Sequence, residues 1–366
     1  MRILLILALA AATALLGGVP PSAIKNVVVY KESGRYGGWP ANHGIWQWGN
    51  EILVGFSGAY YKHMPANRHQ YDKSKPEEPK LARSLDGGET WTIESPKSLL
   101  PPEQGGLAVK DLPAPMDFRN PNFAMTIRLS DVDKGHSRLW YSTDRGKSWS
   151  GPYRFPDLGQ PGILARTDYI VNGKHDAFAF LTASKRNGKE GRVICTRTTD
   201  GGMSWKLVSF IGEEPEGFAI MPSTVRLSKT KLVTAIRMKA PPDKTWIDLY
   251  ESSNNGANWH ILPSPVTDTG GHGGNPASMI RLHDGRLCLT YGIRSAPFSL
   301  RGRLSADGGR TWTSEFMIRA GGAAWDIGYP RTVQRPDGKV LTVYYFPEAV
   351  SSGRTIEATI WDPGKK

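Results

Sequence analysis

The octet STDRGKSW at 142–149 recurs four more times, as SLDGGETW (84–91), TTDGGMSW (198–205), SSNNGANW (252–259) and SADGGRTW (305–312). The closing tryptophans, Trp91, Trp149, Trp205, Trp259 and Trp312, are spaced 58, 56, 54 and 53 residues apart. A near-constant period of this size, filled with short strands, is the signature of a β-propeller with four strands per blade. No enzyme needs one catalytic group five times, so the octet reads as architecture. Its Asp can accept backbone N–H groups two residues on, its Gly permits positive φ, and its Trp can fold back over the turn. The fourth copy has Asn254 in place of Asp and keeps the side-chain acceptor.

The segments between octets read as strands. VVVY (27–30), EILVGF (51–56), KLVTAIRM (231–238), RLCLTYGI (286–293) and KVLTVYYF (339–346) are β-branched and aromatic, and the last three follow polar or DG turns. No helix of more than two turns is indicated. A second signal keeps the same period: WPANHGIW from Trp39, NPNFAMTI from Asn120, MPSTVRL from Met221, NPASMIRL from Asn275 and YPRTVQR from Tyr329. ILARTDYIV (163–171) fits the register without the proline. Pro is tolerated where a strand begins, so each X-Pro pair marks the start of a blade's innermost strand. Six starts and five octets imply six blades. The last is completed by VVVY or by TIEATIW (355–361), which closes the ring and removes open sheet edges. The expected fold is all-β, a six-bladed β-propeller with four antiparallel strands per blade, forming one domain over 24–366.

Composition agrees: 41 Gly and 27 Pro in 366 residues favour turns over long helices. Arg2, the apolar run Ile3 to Leu16 and Pro21-Ser22-Ala23 read as a signal peptide over 1–23, and hence a secreted or periplasmic protein. The run is too short to span a bilayer, no other segment is apolar enough to do so, and no cysteine follows it for lipid attachment. A formal charge of +12 favours anionic partners. Export and the scatter of the Lys and Arg argue against nucleic acid and leave anionic lipid or acidic sugars. The chain is expected to be a monomer. Cys195 and Cys288 lie in strand-like runs and read as buried free thiols. The eight His show no metal-ligand spacing, no nucleotide motif is present, and no cofactor is called for.

In a propeller, strand one starts and strand two ends on the same face. Arg237, Arg294 and Glu348 stand at such ends, and Arg35, Arg119, Arg166 and Arg331 lie near strand starts. Converging guanidinium groups suit a carboxylate, which they pair bidentately.

The octets resemble the Asp boxes, or BNR repeats, of the sialidase (neuraminidase) superfamily, over roughly residues 26–363. DIGYPRTVQRPDGKVLTVYYF (326–346) is similar to that family's last-blade stretch G-Y-S-x-L-x-x-L-x-D-G, with Gly328, Tyr329, Asp337 and Gly338 in the matching places. The resemblance implies that Tyr329 is the nucleophile. A neutral phenol suits a sugar whose anomeric carbon bears a carboxylate, because an anionic Asp or Glu would be repelled. MPSTVRLSKTKLVTAIR (221–237) resembles the segment E-P-S-x-V-x-L…R. This puts Arg237 in the carboxylate clamp and Met221 where the family has the Glu that assists the tyrosine, leaving Glu216, with Glu214 and Glu213 beside it, as the implied base. GNPASMIRLHDGRLCLTYGIR (274–294) resembles the approach to another clamp arginine, Arg294, with Arg301 competing. The family's R-I-P motif aligns with Gly38-Trp39-Pro40, so Arg35 or Arg331 would substitute. The implied acid is Asp72 in NRHQYDKSKP, with His69 beside it. Together these imply an exo-glycosidase releasing a terminal acidic sugar with retention. The alternatives are a glycosidase for another uronic-type sugar, a glycan-binding propeller without turnover, and a purely structural or partner-binding one.

Overall fold

The computed structural model describes residues 21–365. Six antiparallel sheets follow one another around an axis as the blades of a β-propeller. Blade three is typical, running outward from Tyr169–Val171 through Ala177–Ser184 and Glu190–Thr198 to Lys206–Ile211. Blade four (Phe218–Arg226, Leu232–Ala240, Lys244–Ser252, His260–Val266) and blade five (Ala277–Arg281, Leu287–Ile293, Ser299–Ser305, Phe316–Arg319) repeat the plan. The second strands are buried over most of their length: all eight residues of Ala177–Ser184, for example, are excluded from solvent. They therefore carry apolar runs rather than alternating ones. Among the described residues the helical segments are three short 3₁₀ turns.

The ring closes with the N-terminal strand. Ser22–Tyr30 pairs with Thr355–Asp362, which pairs with Val340–Phe346 and then Gly328–Gln334, so both segments considered as closures take part. The signal peptide expected at 1–23 falls mostly outside the described residues. Its last two residues, Ser22 and Ala23, pair with Asp362 and Trp361.

The octets join third and fourth strands. In the first copy, Asp86 Oδ1 accepts the N–H groups of Glu89 and Thr90, both at 3.0 Å, and Ser84 Oγ accepts Gly88 N–H at 2.7 Å. Trp91 Nε1 donates back to the Gly88 carbonyl at 3.0 Å. Trp149, Trp259 and Trp312 do the same in their copies. The turn also joins blades. Gly88 has φ +96°, and a Cβ there would lie 2.7 Å from a Leu341 methyl of blade six. Gly146 meets Leu53 of blade one and Gly309 meets Leu249 of blade four in the same way. In these copies the octet is thus a staple from its blade to the one before it.

Two details differ from the sequence reading. Blade two has three strands, Ala124–Leu129, Ser137–Ser142 and Ser150–Arg154, and lacks an inner one. Asn120-Pro121 is not an inner-strand start: it forms a turn on the octet face, where Asn122 accepts the Arg145 N–H at 2.9 Å. Arg119, beside it, bonds the Asn172 carbonyl. In blade one the inner strand is split into Arg35–Gly38 and Ile45–Trp48 by a 3₁₀ turn at Pro40–Asn42, and both pieces pair with Glu51–Tyr60.

The remaining X-Pro pairs do more than begin strands. Trp39, Met221 and Tyr329 have φ of 56°, 54° and 49°. Left-handed backbone at a bulky residue costs about 1–2 kcal/mol, so the surrounding fold must enforce it. In blades four and six the pairing register slips at these positions. In blade five the corresponding residue, the buried Asn275, holds a neighbour instead. Its Oδ1 accepts the Tyr329 N–H at 2.8 Å and its Nδ2 donates to the Ile327 carbonyl at 2.7 Å.

Candidate active site

Tyr329 lies in the wall of an open cleft of about 680 Å³ on the face where second strands end. Its hydroxyl is 2.7 Å from Arg237 Nη1. The guanidinium carbons of Arg237 and Arg294 each sit 5.4 Å from its ring centre. Both arginines are nearly excluded from solvent. Arg237 also donates to the Gly273 carbonyl through Nε and Nη2, and Arg294 donates to the His272 carbonyl and to Tyr345 Oη. Arg294 Nε is buried without a partner. Burial alone would raise the Tyr329 pKa, but the positive charges of Arg237, Arg294 and Arg166 outweigh it and bring the phenol below its ordinary value.

The arginine pair expected from the sequence is therefore brought to Tyr329. Other expected residues are not. Met221 occupies the base position, with its sulfur 3.5 Å from Arg237 Nη1, so the tyrosine hydroxyl bonds a guanidinium and not a carboxylate. Glu216 is exposed, and its carbonyl is one of three that accept Lys185 Nζ. Asp72 points into its own turn, accepting Ser74 N–H at 3.1 Å, Ser74 Oγ at 2.7 Å and Lys62 Nζ at 3.3 Å. These bonds hold it below the usual carboxylate range, which suits an ionised cap rather than an acid. Arg35 pairs with Glu78 at 2.9 Å over the Tyr60 ring. Arg331 is drawn toward the axis, donating to the Ala41 and Thr167 carbonyls at 2.5 and 2.6 Å. It shares a second, smaller pocket with Asp168, whose carboxyl burial pushes up to about 7.

Three further residues line the cleft, of which the sequence reading named Arg166 and His69 without a specific role and passed over Glu77. Glu77, in the same loop as Asp72, lines the cleft with Tyr329. Burial raises its pKa, only partly countered by hydrogen bonds with Tyr71 and Ser57. A cleft carboxyl whose pKa is raised by burial has the property of a general acid. Arg166 also lines the cleft, paired with Glu190. His69 completes an aromatic corner, with ring centres 5.4 Å from Trp39 and 5.2 Å from Trp325. The pair EE at 77–78 was visible in the sequence, but nothing there distinguished the carboxyl that turns inward.

Comparison with known proteins agrees with this fold. A xyloglucanase from Paenibacillus sp is 25% identical over 260 residues, which is 64% of this chain and 23% of that protein, so this chain spans about a quarter of its length. A crystal structure of a Dyadobacter fermentans protein of unknown function superposes with a TM-score of 0.71 at 19% identity, covering 93% of this chain and 99% of that one. A Trypanosoma rangeli sialidase superposes with a TM-score of 0.55 at 14% identity, covering 88% and 53% respectively. Identities this low show a shared fold. The profile of the BNR repeat-like domain matches residues 80–342, and with it the five octets find their place: the chain belongs to the BNR repeat-like family.

Proposed function

We propose that the protein is an exported glycoside hydrolase that releases an acidic sugar at the Tyr329 cleft. The observation that carries this reading is the Tyr329 hydroxyl 2.7 Å from Arg237, with Arg294 beside it, in a cleft that also holds Glu77. Two buried arginines favour a substrate carboxylate and stabilise a phenolate. The charges of Arg237 and Arg294 lower the tyrosine pKa and so stabilise the phenolate as it forms, in the absence of a carboxylate at Met221. Tyr329 gives up its phenolic proton to solvent, its Oη forms a bond to the anomeric carbon as the bond to the leaving oxygen breaks, and Glu77 gives that oxygen its proton. Glu77 then takes a proton from water, which attacks the anomeric carbon and returns the tyrosinate. Configuration is retained. Among the described residues no arginine stands at the aligned R-I-P triplet, Gly38-Trp39-Pro40, so the clamp differs from the family's and both sialic acid and a uronic-type sugar belong in the test.

A second reading, a glycan-binding propeller without turnover, is favoured by one observation: Arg237 occupies the tyrosine hydroxyl where a base would stand. Release of the aglycone from a panel of sialoside, glucuronide, galacturonide, xyloside and glucoside separates the two. Turnover of an acidic member, abolished in Tyr329→Phe, supports hydrolysis. Binding of an acidic member without turnover supports the second reading, and turnover of neutral members alone sinks the acidic-sugar assignment. Export rests on the N-terminal apolar run, and the mature N-terminus of protein recovered outside the cytoplasm tests it.

A further inference from the structure

The cleft extends well beyond the tyrosine. Blade two has no inner strand, so the end of its strand Ala124–Leu129 reaches the cleft, and Leu129, Ser130, Asp131 and Val132 line it. The Leu129 N–H bonds Ala165 of blade three directly, at 3.0 Å. At this end the wall contains Arg128. Its guanidinium lies 4.4 Å from the Trp140 ring centre and donates to the Leu99 carbonyl at 3.2 Å. Its Nε is buried with no partner. Among the described residues no carboxylate pairs with it. The cross-strand neighbour Arg138 is different: Glu103 neutralises it through two bonds of 3.0 and 2.8 Å. Asp131, the nearest acid in sequence, is turned into its own loop, accepting the N–H groups of Asp133 and Lys134. Burial and the Arg138 charge bring the Arg128 pKa down to about 9, the mark of a cation lacking a counter-charge.

A partly buried guanidinium without a counterion is costly to a fold, and it persists most readily where a ligand supplies the missing anion. We propose that Arg128 anchors a second anionic subsite, so that the substrate is an oligosaccharide carrying acidic groups on two of its sugar residues. One is held at Tyr329, Arg237 and Arg294, and the other at Arg128 over Trp140. This rests on the acidic-sugar reading of the Tyr329 end and adds the chemistry of the leaving portion. A carboxylate and a sulfate ester both satisfy a guanidinium, so the shared requirement is an oxyanion on a neighbouring residue.

Calorimetric titration with α-1,4-linked galacturonic acid as monomer, dimer and trimer tests it, with galactobiose and its sulfate monoester as a second arm. The wild type is expected to bind the dimer or trimer about 10- to 100-fold more tightly than the monomer, the range of one charge-assisted contact. Arg128→Met keeps the apolar stem over Trp140 and should lose that increment while binding the monomer unchanged. Arg128→Lys should recover part of it, and matching melting temperatures show that both variants fold. An increment specific to the sulfate ester assigns the oxyanion as sulfate. Arg237→Met should instead weaken the monomer. Monomer binding that ignores Arg237→Met defeats the Tyr329 reading alone. An increment that is absent in the wild type, or that survives in Arg128→Met, overturns the subsite. Failure of every anionic probe to bind overturns both.

Discussion

His69 Nδ1 and Asp326 Oδ1 lie 2.7 Å apart, although 257 residues separate them in the chain. The bond ties the loop after the first hairpin to the segment that delivers Tyr329. Asp326 is fully buried and also accepts Tyr36 Oη at 2.8 Å and Tyr345 Oη at 2.7 Å. Tyr345 in turn receives Arg294 Nη2 at 2.8 Å. One carboxylate thus orders the aromatic corner and one arginine of the site.

Replacing that carboxylate should be severe. Burial alone would raise the Asp326 pKa, but hydrogen bonding and charge from His69, with Arg354 and Arg294, bring it down to about 2. Its folded value is below its unfolded value near 3.9, so its stabilisation is complete above about pH 4 and is lost as pH falls toward about 2. Asp326→Asn should cost about 3–5 kcal/mol near neutrality. Its stability should also vary less than the wild type's across that acid window. Denaturant unfolding as a function of pH measures both, and parallel pH profiles would contradict the assignment.

The lowered Tyr329 pKa can be read without a substrate. The difference in ultraviolet phenolate absorbance between wild type and Tyr329→Phe should show one tyrosine titrating below the ordinary value of about 10. Removing a positive charge disfavours the phenolate, so Arg237→Met should move that titration to higher pH. A titration unmoved by the substitution would mean that the guanidinium does not stabilise the phenolate.

Ring closure should depend on the octet glycine at the seam. Gly88→Ala combines positive φ with a contact of 2.7 Å to Leu341 and should destabilise the fold by about 2–4 kcal/mol, seen as a lower melting temperature. The same change at Gly338, where φ is +86° but nothing lies within 4 Å, should cost only the backbone term.

The repeat made the architecture legible, because a staple used five times leaves its spacing in the chain. That Arg237 and Arg294 would meet at Tyr329 was legible for a related reason: the two arginines stand at equivalent places in adjacent blades, and the resemblance pointed to the tyrosine. Asp72, Glu216, Arg35 and Arg331 were harder, because loop carboxylates and inner-strand arginines are aimed by turns and by long-range partners. Asp72 is captured by Ser74 two residues on, and Arg331 by carbonyls of blades one and three. The missing strand of blade two left the Asn120-Pro121 pair looking like the others. Its proline sits in a turn, where no ladder donor is needed either.

The exchange of Asp72 for Glu77 as the acid is directly testable. Glu77→Gln should lower kcat by about 10²–10⁴-fold on substrates with poor leaving groups and much less on activated aryl glycosides. Asp72→Asn should stay near wild type on both. The opposite pattern would return the role to Asp72.

The nucleophile itself can be captured. Incubation with an activated fluorinated analogue of the acidic sugar that the protein turns over, followed by proteolysis and mass spectrometry, should place one glycosyl group on the peptide containing Tyr329, and none in Tyr329→Phe. A glycosyl group on a carboxylate, or full turnover by Tyr329→Phe, would contradict the account.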